Sequence, residues 1–88
     1  MDNTALNILQ LLIFPERFES IVAESDADID RHIAGDILKQ LLHDEYVSPL
    51  IEEPEGTFTR SLGYDSDHLE DFCYQITAKG LRILEKQI

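Results

Sequence analysis

The chain has 88 residues, 43% of them hydrophobic, with 18 acidic side chains against 7 basic for a net charge of −11 and a single cysteine. A chain this short buries only about 60% of the surface its unfolded form exposes, which leaves room for one core and excludes a large concave active site. The charge has the wrong sign for attracting nucleic acid or anionic lipid, and the lone Cys73 excludes an intrachain disulfide and fits a reducing, cytoplasmic setting.

Residues from about Thr4 to Ile13 read as a first helix, apolar at Ala5, Leu6, Ile8, Leu9, Leu11, Leu12 and Ile13 over more than one face. Its apolar run, Ile8 to Phe14, lacks a basic flank and is too short for a signal peptide or a membrane span. Pro15 stops this helix and suits the first position of a second, where its missing N–H costs nothing; Phe18, Ile21 and Val22 give that helix a short stripe up to about Glu24. The longest periodic stretch runs from Ser25 to Val47. Ile29, Ile33, Ile37, Leu38, Leu41 and Leu42 fall on one arc at about 100° per residue and are expected to face the core. Ser25 or Asp26 supplies the N-cap, Asp28 completes a capping-box variant, and Asp26, Asp28 and Asp30 favour the positive end of the helix dipole. This third helix is expected to end between His43 and Glu45, with Asp28, His32, Gly35, Asp36, Lys39 and His43 along its opposite, open stripe.

Tyr46-Val47 begins an extended segment, and Pro49 prevents the helix from continuing. Pro54-Glu55-Gly56, Gly63 and the polar Asp65-Ser66-Asp67-His68 run are turn chemistry. Two β-prone runs, Thr57 to Leu62 and Phe72 to Ile76, are expected to pair as a hairpin with a loose acidic tip. Thr77 then caps a final helix with Leu81, Leu84 and Ile88 on one inward stripe, and Ile76 and Leu81 are spaced as a hydrophobic staple. The order is helix, helix, helix, hairpin, helix.

In that order the sequence resembles a winged-helix domain of the MarR-like and PadR-like transcriptional regulators. Tyr74-Gln75-Ile76-Thr77-Ala78-Lys79-Gly80, with Leu84 four residues on, is similar to the Tyr-x-Leu-Thr-x-x-Gly-x-x-x-Leu run that leads from the second wing strand into the last helix. Leu42-His43-Asp44-Glu45-Tyr46-Val47 is similar to the end of the family's recognition helix, with Glu45 where the family usually has Gly. The resemblance implies one α+β domain over 1–88: three helices, a two- to three-stranded wing and a C-terminal helix. It also implies a recognition face on the third helix, with Arg31, His32, Gly35, Lys39 and Gln40 turned towards a major groove.

Charge argues against that use. Asp28, Asp30, Asp36, Asp44 and Glu45 share the third helix with only two bases, and the wing offers Arg60 alone among seven acids from Glu52 to Asp71. The stripe of Arg31, His32, Asp36, Lys39, Gln40, His43 and Arg60 is therefore read first as a surface for a protein partner and second as a DNA-facing one. His32 and Asp36 lie one turn apart, but His43 is about 16 Å further along the axis, so no three-ligand metal site forms within the helix. Asp65-x-Asp67 with Glu70 and Asp71 lacks the glycine of a calcium loop and reads as a solvated tip. Acidic Glu70 and Asp71 beside Cys73 are expected to raise its pKa, which opposes reactivity. Nothing in the sequence supports catalysis, a cofactor or a small-molecule substrate.

The terminal helices carry a surplus of apolar side chains. We expect a homodimer through them, with Leu6, Leu11, Ile83 and Ile88 as contacts beside Lys79, Arg82 and Lys86, the one locally positive cluster. The functional expectation is a non-enzymatic regulatory module acting by protein contact or self-association; the alternative is a DNA-binding regulator using the third helix and wing.

Overall fold

The computed structural model describes residues 1–26 and 28–87. It is a mixed α+β structure with four α-helices and one four-stranded antiparallel sheet. Among the described residues no helix is long and apolar enough to cross a membrane.

Helix α1 (Asn3–Leu11) starts where the Asp2 carboxylate accepts the Ala5 N–H at 2.8 Å, satisfying one of the orphan donors of the first turn. It buries Ile8 and Leu9, and Leu12 just beyond it is also buried, but Ile13 and Phe14 emerge into solvent. Pro15 does not open the second helix as expected. Glu16–Arg17 form a short strand, β1, paired with Tyr74 and Cys73, and α2 (Phe18–Glu24) begins only after it. The chain leaving Pro15 is thus held extended by the sheet before it can turn into a helix.

Helix α3 (Arg31–His43) begins later than its apolar periodicity predicts. Ser25 is already used at the end of α2, where both its N–H and its hydroxyl donate to the Ile21 carbonyl, at 3.1 and 2.5 Å. The N-cap is Asp30, whose carboxylate accepts the Ile33 N–H at 2.9 Å. The buried face is also turned from the expected one: Ala34, Gly35, Leu38, Leu41 and Leu42 face inward, Ile37 is half-buried, and Ile33 is 43% exposed. Small residues decide this. Where a Cβ on Gly35 would stand, Leu69 Cδ1 lies 3.3 Å away and the Phe18 ring 3.6 Å, so the bare backbone admits both side chains.

Strands β2 (Val47–Glu52) and β3 (Phe58–Arg60) form the hairpin, turning through Glu53 to Thr57 with Gly56 at φ +91°. This corrects the expected pairing of the 57–62 and 72–76 runs. Strand β4 (Cys73–Ile76) lies between β1 and β2, giving the order β1-β4-β2-β3. Pro49 sits inside β2 without breaking a bond to β4: its carbonyl turns towards the other neighbour and accepts the Ser61 N–H at 3.0 Å. Its missing donor therefore faces the point where the β3 ladder ends. A 3-10 turn at Leu69–Asp71 precedes β4, and α4 (Ala78–Lys86) follows it.

The core joins Ile8, Leu9 and Leu12 to Phe18, Ile21, Leu38, Leu41 and Leu42, with Val47, Leu69 and Tyr74 closing it from the sheet side. Tyr74 is fully buried, and its hydroxyl donates to the Leu69 carbonyl at 2.8 Å; burial pushes this phenol's pKa up.

The junction of α3 and α4 gives the segments 42–47 and 74–80 a shared structural role. At the end of α3 the Tyr46 N–H donates to the Leu41 carbonyl at 3.0 Å and the Glu45 N–H to that of Leu42 at 3.1 Å, a Schellman closure that forces Glu45 to φ +64°. Thr77 then works on both helices. Its hydroxyl donates to the Glu45 carbonyl at 2.7 Å and accepts the Gly80 N–H at 3.1 Å as the N-cap of α4. Gly80 is required by a close approach, since a Cβ there would lie 2.4 Å from the Tyr46 carbonyl oxygen.

Candidate functional site

The stripe expected to meet a partner is divided by the structure into two surfaces. Arg31, His32, Asp36, Gln40 and His43 are exposed along α3 and Lys39 is half-exposed, whereas Arg60 lies apart from them on β3.

On α3 the positive charge is neutralised. Arg31 stacks over the Phe18 ring, 4.8 Å from its centroid, and pairs with Glu19 at 2.6 Å and with Glu70 at 3.9 Å. Asp36 lies 3.7 Å from His32 and 4.0 Å from Lys39, and the Gln40 amide donates to the Asp44 carboxylate at 3.1 Å. Arg31, His32 and Lys39 line a recess with Gly35, Asp67 and Glu70, so acids from the β3–β4 loop complete its wall.

The second surface is a groove of about 710 Å³ between the hairpin and the start of α4. Its floor is the buried Leu42 and Val47, its accessible apolar lining comes from Pro49 and the fully exposed Leu62, and its charge from Arg60, Lys79, Arg82 and Glu45. The Lys79 ammonium donates to the Asp44 carbonyl at 2.9 Å and lies 4.9 Å from the Tyr46 ring centroid. Among the described residues Arg60, Lys79, Arg82 and Lys86 make no ion pair, whereas Arg17, Arg31 and Lys39 all do. The sequence marks this cluster only as a local excess of bases after Phe72; Arg60 joins it through the fold.

The expected dimer contacts are also separated. Leu6 lines an apolar groove of about 360 Å³ between α1 and α4, together with Ile13, Leu81 and Leu84. Leu11 lines a different recess, shared with the α2–α3 connection. Ile83 packs against the core, and Ile88 lies outside the described residues. Leu81, expected to point inward, is 40% exposed. Sequence reasoning exchanged Leu81 and Ile83 because the staple spacing from Ile76 favoured Leu81, whereas the close seating of Gly80 on Tyr46 turns Ile83 towards the core.

Two further candidates resolve locally. The Asp65 carboxylate accepts the Asp67 N–H and the His68 Nδ1–H, both at 2.9 Å; the Asp67 bond and then His68 hold its pKa down, and Asp65 in turn raises that of His68. Cys73 is 5% exposed beside the Arg17–Glu52 ion pair, and burial, followed by Glu52, pushes its thiol up with Arg17 opposing. The direction matches expectation, but Glu70 and Asp71 are not its source. Among the described residues no group of three or more His, Cys, Asp or Glu side chains is placed to hold a metal ion.

No family model matches this chain, and no curated protein and no solved structure matches it either.

Proposed function

We propose that this chain is a small, non-enzymatic winged-helix module that acts through protein contact and self-association. The observation that carries this reading is the neutralisation of α3: in the element order of a winged helix, α3 is the helix that would enter a major groove, and both of its bases are engaged by acids. A DNA reader gains affinity by releasing counterions from phosphates with free Lys and Arg, and paired bases give up part of that gain. The element order by itself favours a second reading, a DNA-binding regulator that would use α3 and the β2–β3 wing.

Self-association is assigned to the α1–α4 groove, where Leu6, Ile13, Leu81 and Leu84 form an apolar strip that a two-fold copy can cover. Light scattering after size exclusion at micromolar concentration tests it. The wild type is expected at twice its 10.1 kDa mass, and Leu81→Glu at the monomer mass. A monomeric wild type, or a dimer unaffected by Leu81→Glu, overturns this assignment.

A further inference from the structure

We propose that the groove between the β2–β3 hairpin and α4 binds an extended, acidic segment of a partner protein, one in which carboxylates alternate with apolar side chains. This rests on the protein-contact reading and names the partner chemistry.

Among the described residues, unpaired positive charge gathers on this groove. The chain has 18 acids to 7 bases, and three of those bases, Arg17, Arg31 and Lys39, are paired with carboxylates. Yet Arg60, Lys79 and Arg82 meet across one groove without an ion pair among the described residues. Their positions are fixed from opposite sides: Arg60 by the hairpin register, Leu50 facing Arg60, and the two α4 bases by the Thr77 cap and the Gly80 contact. Lys79 is further held by the Asp44 carbonyl and the Tyr46 ring. The net charge of −11 does not cancel this locally, because at physiological salt charges beyond about 8 Å are largely screened.

Shape and lining select the occupant. Lys79 and Arg82, three apart on a helix, have Cβ atoms about 5–6 Å apart. Alternate residues of an extended chain are about 6.6 Å apart and point to the same side, so two alternating carboxylates match those two bases. The intervening side chains then turn towards the half-buried Pro49 and the exposed Leu62. Duplex DNA fits less well. A phosphate backbone offers no apolar side chains for that lining.

The test is a fluorescence anisotropy titration of the full chain against a labelled peptide in which glutamate and leucine alternate. A control peptide has glutamine for each glutamate, and a mixed-sequence duplex DNA is titrated alongside. The glutamate peptide is expected to bind at least tenfold more tightly than the glutamine peptide. Arg60→Glu/Arg82→Glu should weaken it at least tenfold, Arg60→Gln/Arg82→Gln by less, and Arg31→Glu should leave it unchanged. Circular dichroism verifies that each variant is folded; the Gln pair serves if the Glu pair is not. Equal affinity for both peptides, or loss of binding in Arg31→Glu rather than in the groove variants, overturns the inference. So does conversion of the dimer to a monomer by the groove variants, which makes the groove an interface between copies. Failure of the peptide with the dimer intact and DNA unbound removes only this inference, whereas sub-micromolar duplex binding removes the protein-contact reading as well.

Discussion

The α3 face and the α4 groove carry similar numbers of bases in a strongly acidic chain, yet they differ in what those bases are free to do. On α3, Arg31 and Lys39 are engaged by Glu19, Glu70 and Asp36; in the groove Arg60 and Arg82 face open space and Lys79 is held only by a carbonyl and a ring. Local charge availability, not the presence of a base on a helix, therefore distinguishes the groove from the α3 face. The same junction that ends α3 begins the groove, so the comparison can be broken at one place or sharpened at each side.

The largest expected effect comes from the core that both regions share. Leu41→Asp places an unpaired charge among buried side chains and should unfold the chain, seen as loss of a cooperative melt in circular dichroism. Next is the junction itself. Gly80→Ala drives a methyl group against the Tyr46 carbonyl and should destabilise by about 2–3 kcal/mol, lifting α4 and disturbing the groove while leaving the Arg31 pairs intact. Glu45→Gly acts in the opposite direction: it relieves a left-handed residue and should stabilise by about 1 kcal/mol in chemical denaturation. Smaller still is the direct contrast between the two surfaces. Arg31→Ala should cost about 0.5–1 kcal/mol through its pairs and its Phe18 contact, whereas Arg82→Ala should change stability by less than about 0.5 kcal/mol. Equal costs would mean that the two surfaces do not differ in how their bases are held.

The loop beside the α3 recess adds a pH response. His68 has its pKa raised by Asp65, so its contribution is complete below its ordinary pKa and fades as pH rises through the folded value; Asp65 is lowered, so its contribution is lost as pH falls through its own folded value. The loop is accordingly best held between those two limits. An NMR titration should give His68 a midpoint above about 6.5, returning towards that value in Asp65→Asn.

What the sequence made legible depended on whether a signal was local. Thr77 as a cap, the turn at Pro54-Glu55-Gly56, the end of α3 near Glu45 and the α+β class all rest on nearby residues whose chemistry has few alternatives. The start of α3 was not legible, because Ser25 can cap either neighbouring helix and is taken by Ile21. Nor was the rotation of its face, because Ala34 and Gly35 carry little hydrophobic signal and are buried for being small. Strand order failed for a similar reason. Strand propensity marks the runs that become β3 and β4, but it does not say that β4 pairs with β1 and β2 while β3 pairs with β2. The candidate site was least legible of all. Arg31 is neutralised by residues from α2 and from the 3-10 turn, and Arg60 meets Arg82 only after the hairpin and α4 are brought together.

The central claim is that this chain works through protein contact and not through DNA. Its most direct test is a fluorescence anisotropy titration with mixed-sequence duplex DNA at physiological salt. The account predicts no binding tighter than about 10⁻⁴ M, the weak edge of ordinary non-specific affinity. Sub-micromolar binding that falls steeply with added salt would contradict it.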